Sequence, residues 1–131
     1  MSEITIGLVG ETVEPVTREL TAAYMASGLV ASFATPALVA LMENAAFNAV
    51  KAFLAEGQTT VGTEVNIKHL AATPVGMTVR ARAELLEHDG RKLVFKVEAW
   101  DDVEKIGQGT HTRFIVDVER FQQRFAQKAN R

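Results

Sequence analysis

The chain has 131 residues, of which 47% are hydrophobic and 23% charged, so it has the size of one globular domain and is too short for two. Fourteen Lys and Arg against sixteen Asp and Glu give a net charge of −2, which provides no general attraction to nucleic acid or acidic membranes. The sequence contains no cysteine, which excludes disulfides, thiolate metal sites and cysteine nucleophiles. We therefore expect a single domain over residues 1–131.

The beginning of the chain carries an acidic residue, Glu3, where a secretory signal would carry positive charge, and no long apolar core follows it. We therefore expect a cytoplasmic protein. The most apolar segment, residues 36–54, is interrupted by charged side chains such as Glu43 and Lys51, so it does not qualify as a membrane span. We expect no membrane association and interpret this segment as a covered helix.

The first half of the chain predicts irregular strand structure and then one long helix. In residues 3–17 apolar residues alternate imperfectly with polar or small ones, which predicts one strand or two. Thr35 and Pro36 mark a helix start, since threonine can cap free backbone N–H groups and proline is well tolerated at the first helical position. Glu56 and Gly57 mark its end. Most of the helical wheel is apolar, so we expect this helix to be covered on most sides.

Four strands are predicted after the helix, followed by a short closing helix or tail at residues 119–128. The first strand would place Val61, Thr63, Val65, Ile67 and His69 on one face, and Gly62 and Glu64 on the other. In the second and third strands, residues 77–85 and 93–99, apolar residues alternate with polar ones. A hairpin turn at Asp89-Gly90 joins these two strands. The fourth spans residues 106–118. This order predicts an α+β fold in which an antiparallel sheet curls around a central helix.

Three side chains stand out from these patterns. Thr35 opens the helix, Glu43 is a carboxylate within its apolar sector, and His69 lies on the apolar face of a strand. A carboxylate and a histidine in such surroundings suit proton transfer near neutral pH. Each residue also has an ordinary explanation: a helix cap, a carboxylate that reaches solvent or a neighbouring subunit, and a satisfied core histidine. Taken singly, the three residues leave both interpretations open.

Other candidate motifs point away from metal and nucleotide chemistry. The three histidines, at positions 69, 88 and 111, lack metal-ligand spacing, so we expect no metal site. Gly107-Gln108-Gly109 lacks the rest of a phosphate-binding loop, and we interpret it as close backbone approach within a strand. The basic residues at 80–92 and 120–131 fit solvated faces, with contact to an anionic cofactor tail as the alternative.

Several short segments occur together in a recognisable order and spacing. They are Phe33-Ala34-Thr35, Leu41-Met42-Glu43, Gly62-Thr63 leading to His69, Ala71-Ala72-Thr73-Pro74 with Gly76, and Ile106-Gly107 through Gly109-Thr110-His111 to Arg113. In these segments the chain resembles the hot-dog-fold acyl-CoA thioesterases, and within them the fluoroacetyl-CoA thioesterase-like group. The similarity extends from about residue 31 to residue 121.

The resemblance implies a hot-dog fold and an active homodimer, in which sites lie near the subunit interface. It leaves open whether dimers of this chain pair into tetramers. It implies that Thr35, Glu43 and His69 are catalytic. By the same correspondence Gly62 contributes a backbone N–H near the thioester carbonyl, and Arg113 and Phe33 lie at the substrate pocket. The substrate is then an acyl-CoA, and no cofactor is expected beyond the coenzyme A that the substrate carries.

The sequence also departs from the fluoroacetyl-specific pattern. The segment at residues 22–33 is short and poor in aromatics, and Pro36 stands where the pattern has glycine. These differences favour a short or medium acyl-CoA of ordinary metabolism as substrate. Two alternatives are a non-catalytic acyl-CoA or hydrophobic-ligand binder and an enoyl-CoA hydratase or dehydratase. The second would need Glu64 and His69 together, but their spacing of five places them on opposite strand faces unless a bulge intervenes.

Overall fold

The computed structural model describes residues 3–131. Its elements in chain order are β1 (Val9–Pro15), α1 (Ala22–Met25), α2 (Thr35–Val50), β2 (Gln58–His69), β3 (Thr78–Asp89), β4 (Lys92–Trp100), β5 (Lys105–Asp117) and α3 (Val118–Ala129). Single 3-10 turns lie at Arg18–Leu20 and Lys51–Phe53. Within the described residues the strands form one antiparallel sheet in the order β1-β3-β4-β5-β2, so β1 and β2 are its edges.

The long helix begins as predicted at Thr35, although the residue that caps it is different. Ala34 has extended backbone angles and occupies the cap position, and Thr35 is already the first helical residue. No side chain caps the helix, so the prediction that the Thr35 hydroxyl does so is wrong. The predicted end at residues 56–57 is also too late. The α-helix stops at Val50, whose φ of −118° departs from helical values, and a 3-10 turn continues the chain.

The core forms where α2 packs against the concave face of the sheet. Side chains of β3 and β4 that are fully buried alternate along each strand, as the sequence predicted: Val79, Ala81, Ala83 and Leu85, then Leu93, Phe95, Val97 and Ala99. The alanines on this face take little room, which lets the helix approach the sheet closely. The predicted α+β arrangement of a central helix and a curled sheet is confirmed.

A β-bulge in β2 changes which of its residues face the helix. The pairing of β2 with β5 shifts between Gly62 and Glu64. Before the shift, Gly62 faces α2, where a Cβ would lie 2.7 Å from Glu43 Oε2. After it, His69 reaches Thr35 on the same helix. The prediction that Gly62 faces away from His69 is therefore wrong.

The bulge does not bring the hydratase-like pair together. Glu64 and His69 lie on one uninterrupted stretch of pairing with β5, from Thr112 back to Gly107. Their separation of five therefore places them on opposite faces, as the sequence predicted.

Gly109 in β5 and the β3–β4 turn bear on two other predictions. A Cβ at Gly109 would meet the Asn66 carbonyl oxygen and the Ile67 Cα of β2, which confirms close backbone approach. The β3–β4 hairpin is present, but its loop residues are Gly90 and Arg91, because Asp89 still pairs with β4.

The two ends of the described chain are simpler than the core. The N-terminal segment contains β1 as its strand, and the C-terminal helix α3 exists as predicted, with none of its side chains buried. The rings of Phe121 and Phe125 on α3 make an edge contact at 4.8 Å. Among the helices of residues 3–131, none combines the length and apolar character needed to cross a membrane.

Candidate functional site

Thr35 and His69 form one cluster, which we call the Thr35–His69 half-site. Thr35 lies in the first turn of α2 and His69 is the last residue of β2, and the Thr35 Oγ1 is 2.8 Å from His69 Nδ1. A hydroxyl hydrogen-bonded to an imidazole is an arrangement that can relay a proton. The explanation of Thr35 as a helix cap only is thus replaced by a side-chain contact with a titratable ring.

This half-site opens onto a cavity of about 420 Å³. The cavity is lined by Thr35, His69, Phe33 and Leu70, together with alanines and serines from α1 and from the segments that flank α2 and β2. Phe33 is buried, so it contributes a wall to the cavity while belonging to the core. The volume lies within the range typical of small-molecule sites.

The environment of His69 favours a neutral ring. Burial lowers the pKa of His69, and the backbone of Ala71 opposes this effect only in part. The Nε2 atom is buried and has no hydrogen-bond partner among residues 3–131. The ring is therefore neutral at neutral pH, and Thr35 is the side chain that contacts it.

Glu43 belongs to a second cluster, which we call the Glu43–Arg113 half-site. Arg113 Nη1 lies 4.0 Å from Glu43 Oε2, and Gly62 on β2 lies beside the same carboxylate oxygen. The Arg113 side chain is 9% exposed and the Glu43 side chain 39% exposed. The carboxylate is thus reachable from solvent while the cation that faces it is buried.

Arg113 is held on several sides by its neighbours. Its Nε donates to Thr60 Oγ1 at 2.8 Å and its Nη2 donates to the Thr60 carbonyl oxygen at 2.9 Å. Its Nη1 lies 3.2 Å from His111 Nε2, and its guanidinium carbon lies 6.0 Å from the Phe47 ring centroid. Burial lowers the pKa of Arg113, while the Glu43 carboxylate raises it. The buried guanidinium is compensated mainly by hydrogen bonds.

The structure separates the two half-sites within one chain. Thr35 and Glu43 are eight residues apart on α2, which corresponds to about 12 Å along the helix axis. Gly62 and His69 are seven residues apart on β2, or roughly 23 Å along an extended strand. The three residues expected to be catalytic therefore form two groups: Thr35 with His69, and Glu43 with Gly62 and Arg113.

Sequence reasoning did not identify His111 and Thr60 as parts of the site. His111 and Arg113 are two residues apart in β5, so the alternation of the strand places them on the same face and could have identified His111. The position of Thr60 depends on the β2 bulge, which the sequence pattern does not reveal. Within residues 3–131 no group of three or more His, Asp or Glu side chains is arranged to hold a metal ion.

Comparisons with known proteins agree with the fold. A family model described as fluoroacetyl-CoA-specific thioesterase matches residues 16–119. A fluoroacetyl-CoA thioesterase from Streptantibioticus cattleyicolor is 43% identical over 96 residues, which are 73% of this chain and 69% of that protein.

Solved structures show the same likeness. The fluoroacetyl-CoA thioesterase FlK is 33% identical with a TM-score of 0.92, and the match covers 97% of this chain and 98% of FlK. A thioesterase superfamily member from Thermus thermophilus is 29% identical with a TM-score of 0.91, over 99% of this chain and 96% of that one. These matches confirm the hot-dog fold predicted from the sequence.

Proposed function

Because the chain belongs to the fluoroacetyl-CoA-specific thioesterase family, it is an acyl-CoA thioesterase, and we propose that Thr35, Glu43 and His69 carry its chemistry. The reaction converts an acyl-CoA and water into a free acid and coenzyme A, and the proposed substrate has a short or medium acyl chain. The observation that carries the assignment is the 2.8 Å contact between Thr35 and His69 beside an open cavity. No cofactor is required beyond the coenzyme A of the substrate. We place the reaction in the cytoplasm, where acyl-CoA esters are formed and used.

We propose that two copies of the chain complete each site. The β2 strand is an edge with a run of exposed residues at 62–66, and an edge strand offers unpaired backbone groups to a second strand. A two-fold axis near Val65 and Asn66 would pair β2 with its copy in antiparallel fashion. Gly62 and Glu43 of one protomer would then lie opposite His69 of the partner subunit. A homodimer thus joins the two half-sites that one chain keeps apart, and further pairing into a tetramer is compatible with it.

The chemistry divides between the two half-sites. Glu43 attacks the thioester carbonyl or removes a proton from the attacking water, and the Gly62 backbone N–H donates to the carbonyl oxygen as negative charge develops there. If Glu43 attacks, water then hydrolyses the resulting anhydride between the acyl group and Glu43 and regenerates the carboxylate; if Glu43 acts as base, it takes the proton of the attacking water. His69 protonates the departing sulfur, and solvent supplies that proton to the ring through the Thr35 hydroxyl. A thiol has a pKa near 8.5, so the leaving group needs little assistance. Arg113 lies next to Glu43, where the acyl group of the substrate would be bound. Phe33 forms part of the wall of the substrate cavity beside Thr35.

Release of free thiol from a panel of acyl-CoAs tests the proposed function. The panel extends from acetyl to decanoyl and includes fluoroacetyl, and a disulfide chromogen reports the product without background because the chain has no cysteine. Glu43→Gln should reduce hydrolysis by about 100-fold or more, since it removes the nucleophile or base. Glu56→Gln, at an exposed carboxylate outside both half-sites, is the matched control.

Two outcomes would contradict the assignment. Full activity of Glu43→Gln would remove Glu43 from the reaction. Binding of acyl-CoA without thiol release from any panel member would indicate a binding protein, for which the replacement of Glu43 leaves affinity unchanged.

Mixing two inactive variants tests whether the site is shared. Glu43→Gln and His69→Gln each damage a different half-site, so a mixed dimer contains one site with both defects and one site with neither. Unfolding and refolding the variants together at equal concentration should restore about a quarter of wild-type activity, because half of the dimers are mixed and each has one intact site. Activity that stays at the level of the separate variants would show that the site does not form across two chains.

A further inference from the structure

The environment of His111 determines which ring nitrogen carries its proton. The Nδ1 atom lies 2.8 Å from the Glu64 carbonyl oxygen, which can only accept a hydrogen bond. Nδ1 must therefore be the donor. In a neutral ring the other nitrogen, Nε2, then presents a lone pair, and Arg113 Nη1 lies 3.2 Å from it. His111 is thus an acceptor for the guanidinium.

The His111 ring is fixed in this orientation. Its side chain is almost completely buried, and its ring stacks with Phe95 at a centroid distance of 6.4 Å. The carbonyl that it contacts belongs to Glu64, the residue at which the β2 bulge ends. The bulge, the ring and the guanidinium therefore form one connected chain of contacts from the edge strand to Arg113.

Burial and the charge of Arg113 keep the His111 ring neutral. Burial is the largest cause that lowers the pKa of His111, and the positive charge of Arg113 lowers it further. The Glu64 carbonyl and the Glu43 carboxylate act in the opposite direction but do not reverse the shift. Arg113 and Glu43 are the charged side chains that affect the ring. A protonated His111 would face Arg113 with no acceptor to offer.

The same Arg113 nitrogen joins this chain to the catalytic carboxylate. Nη1 lies 3.2 Å from His111 Nε2 and 4.0 Å from Glu43 Oε2, while Nε and Nη2 are occupied by Thr60. The guanidinium is thereby clamped on the sides away from Glu43. Small displacements of a reacting group can cost up to about 100-fold in rate, so the position of this clamp matters for catalysis.

We propose that His111 is a positioning residue for the thioesterase reaction: its neutral ring accepts from Arg113 and thereby sets the guanidinium against Glu43. This inference rests on the proposed catalytic role of Glu43. In this role His111 does not contact the substrate. Its effect on the reaction passes through Arg113.

Two amide substitutions distinguish the role of Nε2 as a hydrogen-bond acceptor from the other contacts of the His111 ring. The short side chain of His111→Asn can still donate to the Glu64 carbonyl but cannot reach Arg113. The longer side chain of His111→Gln can place its carbonyl oxygen near the position of Nε2. We expect His111→Asn to lower kcat by at least about tenfold with KM changed by less than about twofold, and His111→Gln to retain kcat within about threefold. His88→Asn, at an exposed histidine, is the control.

The double variant shows whether the effect passes through Glu43. In the Glu43→Gln background, His111→Asn should lower the remaining activity by less than about twofold, since the carboxylate that it positions is already lost. Equal losses in the Asn and Gln variants, an unchanged kcat in His111→Asn, or an undiminished loss in the double variant would overturn the proposal. If Glu43→Gln itself is fully active, the proposed function fails instead.

The wild-type protein provides a test that does not depend on the folding of a variant. Nitrogen-15 NMR of the histidine rings distinguishes the two neutral tautomers and the cation. We expect His111 to be predominantly neutral, with its proton on Nδ1, from pH 8 down to the ordinary histidine pKa of about 6.5. A proton on Nε2 in the neutral ring, or a cation within this range, would overturn the proposal.

Discussion

The Thr35–His69 half-site and the Glu43–Arg113 half-site differ in how they are held. In the first, one hydrogen bond joins an exposed threonine to a half-buried histidine beside an open cavity. In the second, a buried arginine is hydrogen-bonded to Thr60 and His111 and also faces the Glu43 carboxylate. The first pair can adjust when a substrate arrives, whereas the second is set before binding. The comparison indicates that one chain supplies a firmly held guanidinium beside Glu43 and an adaptable relay at Thr35 and His69, which the proposed dimer would bring together.

The largest expected effect is on stability and separates the two half-sites directly. Arg113→Met leaves the polar groups of Thr60 and His111 without their partner, so the free energy of unfolding should fall by about 2–4 kcal/mol. Thr35→Ala removes one exposed hydroxyl and should cost less than about 1 kcal/mol. Denaturant unfolding of both variants at one protein concentration measures the difference. Equal losses would contradict the contrast between the half-sites.

A methyl group at Gly62 should disturb activity more than stability. The added Cβ would lie 2.7 Å from Glu43 Oε2 and 3.0 Å from His111 Cε1, and the carboxylate is the flexible end that can move away. Gly62→Ala should therefore lower kcat/KM by about tenfold or more while the protein stays folded. Gly28→Ala is the matched control near the other half-site, because its Cβ would make an ordinary 3.5 Å contact with Ala22. Wild-type kinetics in Gly62→Ala would contradict the placement of Glu43.

The Thr35–His69 half-site should determine the acid side of the pH profile. His69 acts from its neutral form, and burial lowers its pKa below the ordinary value of about 6.5. Activity should therefore be maintained as the pH falls to about 6.5 and decline at lower pH as the ring becomes protonated. The kcat/KM profile of the wild-type protein measures this. A decline that begins well above pH 6.5 would show that His69 is not the group that titrates.

The smallest expected effect is the pH dependence of stability contributed by His111. Its pKa is lowered in the folded state, so the unfolded chain binds the proton more readily and the free energy of unfolding falls as the pH drops below about 6.5. This contribution is fully present above that pH. Thermal unfolding of wild type and His111→Gln between pH 7.5 and pH 5.5 should show a shallower decline in the variant. A parallel decline would mean that His111 does not titrate differently on folding.

The sequence predicted the fold well because its signals are local. Apolar residues recur with a strand period in β3 and β4 and with a helical period in α2. The structure buries those of β3 and β4 and most of those in α2. The resemblance then placed Thr35, Glu43 and His69 in a candidate site. The distance between Thr35 and Glu43 was implicit in their spacing of eight on one helix. What the spacing could not supply was the partner strand that would bring His69 and Glu43 together.

The remaining errors have non-local causes. The exact helix start depends on the backbone of Ala34, and the Thr35 hydroxyl is drawn to His69, 34 residues away. The face of Gly62 depends on a bulge that is fixed by pairing with β5. The tautomer of His111 depends on a carbonyl 47 residues away. None of these contacts leaves a periodic trace in the sequence.

The bulge in β2 also determines whether Gly62 and His69 lie on the same face of the strand. Seven residues separate Gly62 from His69, and in a regular strand an odd separation points two side chains in opposite directions. Because Thr63 is an extra residue in the bulge, the separation that counts for the alternation is six, which is even. Gly62 and His69 therefore both face α2. A chain that lost Thr63 would keep every side chain of both half-sites, yet would turn one half-site outward. In related sequences the length of this segment should therefore be a stricter constraint than the identity of its middle residues.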